Sequence, residues 1–355
     1  MRGRGIVFTA PERAELEEVE IDPADLRPGE VLVKAEHSII SAGTEGSHYT
    51  NLMAEVPPVY HPRPVLYPAR TGYGHLGEVL AVGADVTSVV PGQRVLSFSR
   101  HASIVRCDTR RFALVVPREI DGRRAVFTRM AGVSVTALRA SSASAGDTVA
   151  VIGLGLVGNL AAQLFQLAGC EVIAFDLAPQ RLEIARACGV RHVYHAGEVD
   201  PVEVTRRWAG AADDRGGARI VVEAIGRSEL VAQAVEMTGR HGEVVLLGSP
   251  RAPFVGDFTP MLGRIHLLAI KLVGALEWTF PIPETTERAR HTIGANYRQL
   301  LGWIHSGRLI VDPLRSHVLP PERCQEAYYG LTHHKDEYLG VVFDWTGEDP
   351  DAASP

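Results

Sequence analysis

"TVAVIGLGLVGNL", residues 148–160, is the stretch that decides the fold. "TVAVI" reads as a buried strand, and "LVGNLAAQLFQLAG" after it has helical period. Between them Gly153, Gly155 and Gly158 fall in G-x-G-x-x-G spacing. That spacing alone is weak evidence, but here it leaves a strand and opens a helix, the context the motif requires. Gly153 permits the tight turn, Gly155 lets the backbone approach a pyrophosphate, and Gly158 lets the helix pack close to the strand. The helix start at Leu156 and Val157 turns backbone N–H groups and partial positive charge toward phosphates.

The next strand, "EVIAFD", ends in Asp176, 21 residues after Gly155. A carboxylate there accepts hydrogen bonds from ribose hydroxyls and repels the extra phosphate of NADP, so NAD is expected and NADP disfavoured. Arg181 completes the candidate cofactor set with Gly153, Gly155, Leu156, Val157, Gly158 and Asp176. The plainer alternative is that the glycines only shape a turn and Asp176 caps a helix. "APQRLEIARACG" reads as a helix, "RIVVEAIG" as a strand, "SELVAQAVEMTGRHG" as a helix and "EVVLLGS" as a strand. That alternation predicts an α/β fold with a doubly wound parallel sheet over residues 126–280.

Before residue 126 the pattern is different. "GEVLVKAEHSI", "GHLGEVLAVG", "GQRVLSF" and "ASIVRCD" are short strands bounded by turn residues, which predicts a mostly antiparallel β domain. "PPVYHPRPVLYP", residues 57–68, is too rich in proline for a helix and reads as an extended loop. Two prolines in "TFPIPETTERAR" break the α/β rhythm near residue 280. A helix, "TIGANYRQLLGWIHSG", and a strand, "EYLGVVFDW", follow.

A chain of 355 residues suggests two domains, and 46% hydrophobic residues with 22% charged supply ordinary globular cores. The net charge of -6 argues against a partner held through nucleic-acid phosphates. Cys107, Cys170, Cys188 and Cys324 are scattered, without the spacing of a zinc site or a disulfide framework. A reducing, cytoplasmic setting is expected. The first residues are basic but have no apolar core of a signal peptide, and no run of 18 apolar residues would span a membrane. The tail "TGEDPDAASP" is polar and acidic, a disordered composition.

One segment raises a chemical question. "SAGTEGSHY", residues 41–49, reads as a loop where the strand "GEVLVKAEHSII" runs out. Together with "GHLGEVLAVGADVTSVVPGQRV" at 74–95, the glycine motif and the closing strand, it resembles the medium-chain dehydrogenase/reductase family over nearly the whole chain. The resemblance implies a GroES-like β-rich catalytic domain built from both ends, 1–125 and 281–355, with the Rossmann domain 126–280 inserted. It implies a small-molecule substrate, and a homodimer or homotetramer paired through the sheet edge near "IHLLAIKLVGAL", residues 265–276; the alternative is that this run is an ordinary buried strand.

Zinc-dependent relatives hold their metal with a Cys in C-x-[ST]-D, a His in G-H-E and a later Cys or carboxylate. Matched by position, Ala42 falls at the first ligand, Tyr73 of "GYG" at the second, and Arg129 or Met130 at the third. Those residues cannot form a tetrahedral Cys/His/carboxylate site, and the four-cysteine lobe of many relatives is missing. "SAGTE" with "GYxxxGEV" resembles a zinc-free branch that includes bacteriochlorophyllide a dehydrogenases, which act on a hydroxyethyl group of a large ring. No zinc is expected.

Without a metal, another group must give or take the proton as hydride moves. The candidates by position are Thr44, Tyr73, Glu45 and His75. Each also has a structural reading. Tyr73 fills space a metal vacated, Glu45 pairs with backbone or arginine groups, and His75 lies in the core. His48, His61 and His101 read as loop residues and His333 and His334 as surface. Trp278 lines either a substrate site or a subunit interface. The expected activity is zinc-independent hydride transfer between NAD(H) and a secondary alcohol or ketone of a fairly bulky substrate. An enoyl or quinone reductase of the same fold and a non-catalytic nucleotide-binding protein are the alternatives.

Overall fold

The computed structural model describes residues 1–52, 65–210, 213, 215–251, 253–282 and 289–347. His61, most of the proline-rich loop, the middle of "TFPIPETTERAR" and most of the acidic tail lie outside them. The chain divides into two compact units. The first is 1–129 with 280–306 and 314–355, and the second is 130–279 with 307–313.

Among its described residues the second unit holds six parallel strands: Thr148–Ile152, Glu171–Asp176, His192–His195, Ala218–Glu223, Thr238–Leu246 and Lys271–Gly274. Their order across the sheet is third, second, first, fourth, fifth, sixth. The order reverses at Thr148–Ile152, and ligands of such sheets bind outside the strand ends at that reversal. Both faces are covered. Val149, Val151 and Phe165 belong to one apolar cluster, and Ala150, Phe175 and Val221 to another. Strands buried on two sides need no polar alternation, which is why "VAVI" and "IVV" are continuous apolar runs. Ile310 belongs to this unit because its N–H and carbonyl both bond the Gln163 amide, at 2.8 and 3.0 Å.

Two segments differ from the sequence reading. The helix read over "SELVAQAVEMTGRHG" stops at Met237, and Thr238 begins a strand paired with Ala218. In "IHLLAIKLVGAL", residues 265–268 finish the helix Thr259–Leu268, Ala269 turns the chain at φ 53°, and Lys271–Gly274 forms the sheet edge. Leu272 on that edge is 45% exposed, so the strand is not an ordinary buried one.

The first unit is built on a sheet of Arg315–Leu319, Gly340–Asp344, Glu30–Ile39, His75–Val82, Arg94–Ser97 and Ala113–Val116, with Ile104–Asp108 also pairing Glu30–Ile39. All its pairings are antiparallel except the first. A second sheet joins Arg13–Glu20, Arg2–Ala10 and Ala69–Arg70. Residues 340–344 lie beside 37–39 in this unit, so the C-terminal segment completes the N-terminal sheet. "SAGTEGSHY" is not a loop: Ala42–Tyr49 is a helix entered directly from the strand. The reason lies in Glu45, whose Oε1 accepts the Ser41 N–H at 2.8 Å and satisfies a backbone donor at the helix start.

Candidate functional site

The glycine loop of the second unit has the geometry its sequence implies. Gly153 sits at φ +93°, a conformation that disfavours a side chain. A Cβ on Gly158 would lie 1.9 Å from the Gly153 carbonyl oxygen, so only glycine lets the helix Leu156–Leu167 approach the turn. A Cβ on Gly155 would meet nothing within 4 Å, so that backbone faces open space. Asp176 closes the loop from the next strand. Its Oδ2 accepts the Leu154 N–H at 2.7 Å, its Oδ1 accepts the Ala178 N–H at 2.9 Å, and Arg181 stands 3.8 Å away. Leu156 is buried and Val157 packs on the core, so both offer backbone rather than side chains. The loop therefore has the open backbone, helix start and carboxylate that a dinucleotide requires.

Glu223, at the end of its strand, escaped the sequence reading. Its carboxylate accepts the Ile225 and Gly226 N–H groups at 2.9 Å and shapes the neighbouring loop. Burial pushes this carboxyl up, partly offset by those N–H groups. An acid just before the glycine of "EAIG" was the available signal.

In the first unit Glu45 is almost fully buried and saturated. Its Oε2 accepts from Thr71 Oγ1 at 2.8 Å, His101 Nε2 at 3.0 Å and Tyr328 Oη at 2.7 Å. Burial pushes its carboxyl up, but the charge and hydrogen bond of His101, with the Tyr328 and Ser41 bonds, outweigh it and hold it below the ordinary value. Burial and the Glu45 carboxylate push the Tyr328 phenol well above its ordinary value. His101 lies in a loop as read, but it is fully buried and also meets Ser38 Oγ at 2.7 Å. No spacing in the sequence points from residue 101 to residue 45. Only the fold joins them.

Tyr73 stands beside this network, half-buried, with its phenol donating to Ser41 Oγ and in hydrogen-bonding reach of Thr44. Burial pushes the phenol up while the Arg129 guanidinium opposes it, and the net shift is upward, so the phenol stays protonated at neutral pH. Thr44 is partly exposed on the helix, and its carbonyl accepts Ser47 Oγ. His75 is different. It is fully buried, its Nε2 meets the Ala102 carbonyl at 3.1 Å, and burial pushes it down to about 4, which makes it a neutral core histidine. His48 lies on the helix Ala42–Tyr49 rather than in a loop. His333 pairs with Glu12 at 3.4 Å on the surface, and Trp278 is half exposed.

The zinc-binding dehydrogenase profile matches residues 157–288. The chain is 27% identical to the 2-desacetyl-2-hydroxyethyl bacteriochlorophyllide A dehydrogenase of Cereibacter sphaeroides, covering 97% of this chain and 99% of that one. It is 24% identical to the D-guloside 3-dehydrogenase of Shigella flexneri, over 95% and 99%. Among solved structures, one from Sinorhizobium meliloti 1021 bound to NADP, described as that of a zinc-binding dehydrogenase, superposes with a TM-score of 0.77 at 19% identity, over 97% and 99%.

The profile, these relatives and the fold together support a member of the medium-chain dehydrogenase/reductase family. Within that family it is an oxidoreductase of the dehydrogenase type. The family profile is named for zinc, so the donor set decides whether zinc fits here. Ala42 offers no donor, the Tyr73 phenol stays protonated and donates to Ser41, and the third position holds either Met130 or Arg129, whose guanidinium lies 4.4 Å from the Tyr73 ring centroid. A fixed cation beside these positions repels a divalent ion, and the set does not fit zinc. Among the described residues no group of three His, Cys, Asp or Glu side chains converges as a metal site.

Glu45→Gln tests how much the buried carboxylate holds. Its NH2 group replaces one of the two oxygens that now accept four donors, so a donor faces a donor and the buried charge is lost, and urea unfolding should lose about 2–4 kcal/mol. Unchanged stability would show that the network is not holding the helix.

Proposed function

We propose that the chain is a zinc-independent oxidoreductase that transfers hydride between NAD(H) and a secondary alcohol or ketone group of a fairly bulky substrate. The observation that carries this reading is Tyr73, a half-buried, protonated phenol beside Thr44 and Ser41 at the position where zinc relatives place a histidine ligand. The names of the two curated relatives, for a hydroxyethyl-bearing bacteriochlorophyllide and a D-guloside, support the substrate class. The exposed edge strand Lys271–Gly274 fits pairing into a homodimer or homotetramer, and four buried free thiols fit a reducing cytoplasm. Among the described residues no helix is long and apolar enough to cross a membrane.

A bound nicotinamide supplies or accepts the hydride. The backbone at Gly153, Gly155, Leu156, Val157 and Gly158 holds the pyrophosphate, and Asp176 with Arg181 takes the ribose. In the reducing direction the Tyr73 phenol donates a hydrogen bond to the carbonyl oxygen and passes its proton there as the alcohol forms. Thr44 supplies a second hydroxyl, and Ser41 receives the phenol's hydrogen bond when no substrate is present. Glu45 holds the helix carrying Thr44 and Ser41 at its start. His75 serves the core and takes no part in the proton step.

Turnover should distinguish this chemistry from its neighbours. A panel of alcohols with NAD should give activity, while enones and quinones with NAD(P)H should not. Tyr73→Phe and Thr44→Val should each lower kcat by about 10²-fold or more with NADH binding nearly unchanged. Near-full kcat in Tyr73→Phe would reduce Tyr73 to a space-filling role.

Asp176→Ser should narrow the preference for NAD over NADP by about 1–3 kcal/mol. The ratio of the two dissociation constants is the proper measure, because loss of the Leu154 and Ala178 bonds weakens both nucleotides alike. A wild-type preference for NADPH would remove Asp176 from the ribose.

Purified protein should carry far less than one zinc per chain by elemental analysis, and chelators should leave activity and Tm unchanged. Stoichiometric zinc would overturn the metal-free reading.

A further inference from the structure

Arg129 has no role in the mechanism above, yet it is the largest of the fully buried side chains, at 1% exposed. A guanidinium stays charged at any working pH, and burying one is costly unless its surroundings compensate. The surroundings here are aromatic. The guanidinium carbon lies 4.4 Å from the Tyr73 ring centroid, 4.9 Å from that of Phe98 and 6.0 Å from that of Tyr297. Nε donates to the Tyr73 carbonyl at 3.1 Å, and Nη1 donates to the Tyr297 hydroxyl. Phe98, Phe112 and Tyr297 brace one another, with centroids 4.4, 5.6 and 4.8 Å apart. The cation therefore has little freedom to move. Gly74, which replaces the glutamate of the G-H-E pattern, belongs to the same arrangement. A Cβ there would lie 2.9 Å from Arg129 Cγ, so Gly74 leaves room for the arginine.

We propose that Arg129 is the fixed cation standing in for the catalytic metal of zinc-dependent relatives, a positioning residue that acts on the reaction through Tyr73. Its place in catalysis rests on the reading in which Tyr73 handles the proton; its coupling to the Tyr73 phenol does not. Zinc in such enzymes polarises a substrate oxygen directly. A guanidinium cannot bind that oxygen from beneath a tyrosine ring. It can make the phenol a better hydrogen-bond donor and stabilise the phenolate left when the proton is given up. The groups facing the phenol are Ser41 just before the helix Ala42–Tyr49, Thr44 and Glu45 from that helix, and Arg129 from the helix Thr128–Ala140. Ser41, Thr44 and Arg129 favour the ionised phenol. Glu45 opposes it, but its carboxylate is occupied by four donors.

The test is a titration of the phenol itself. Full-length protein carrying a fluorinated tyrosine at position 73 is followed by fluorine NMR against pH, because fluorination brings the ionisation into an accessible range. Arg129→Met should raise the phenol pKa by about one unit or more, the size expected for removing an adjacent opposite charge. Arg129→Lys should restore most of that shift. Turnover of the non-fluorinated variants should show the basic limb of the kcat profile moving the same way, with NADH binding unchanged. An unmoved phenol pKa in folded Arg129→Met overturns the coupling. Should that variant not fold, Tyr297→Phe removes the Nη1 partner and should give a smaller upward shift; no shift overturns the coupling equally. A moved phenol pKa with an unmoved kcat profile upholds the coupling but overturns Arg129's part in catalysis, and with it the proton role of Tyr73.

Discussion

The Glu45 carboxylate is the interaction on which the first unit's site depends. Its two oxygens take four donors from four places in the chain: Ser41 at the helix start, Thr71, His101, and Tyr328 from the C-terminal helix Cys324–His333. A buried carboxylate with fewer partners would cost several kcal/mol, so the site tolerates little rearrangement. The same contact caps the helix Ala42–Tyr49. It thereby puts Ser41 and Thr44 beside the Tyr73 phenol. Apolar packing supports it from the other side, where Phe8, Tyr49 and Tyr328 meet edge to face or stacked.

The first unit keeps a family scaffold while its donor chemistry is inverted. A zinc site needs soft or neutral donors converging on a small cation. Here the positions matched to the ligands hold a methyl group, a phenol, and a guanidinium or the thioether next to it, and the positive charge sits on the protein. Aromatic faces replace ligand lone pairs as the electrostatic partner of that charge. The exchange needs several residues at once, because Gly74 must be small for Arg129 to pass and Tyr297 must supply a hydroxyl.

In the second unit Asp176 works on the protein before any nucleotide arrives. It holds the glycine loop through Leu154 and the following turn through Ala178, and it lies near Arg181. Glu223 does the same for the loop after the fourth strand. Both carboxylates end strands next to the point where the sheet order reverses. Preorganised loops reduce the entropy lost when a ligand binds.

By itself the sequence determined the class of each half, because periodicity and glycine spacing are local properties. "TVAVIGLGLVGNL" and Asp176 were readable as strand, turn, helix and carboxylate, and the structure has them in that geometry. The absence of ligand-type residues at Ala42, Tyr73 and Arg129 or Met130 was equally readable from the motif positions. Tertiary structure decided what depends on long-range pairing. "SAGTEGSHY" looked like a loop because two glycines and small polar residues weaken helix propensity, and the bonds that hold Glu45 come from as far as residue 328. His101 looked like one loop histidine among several until the fold placed it against Glu45. Arg129 read only as one of two residues at a missing ligand position, because a cation over an aromatic ring is a property of space and not of spacing.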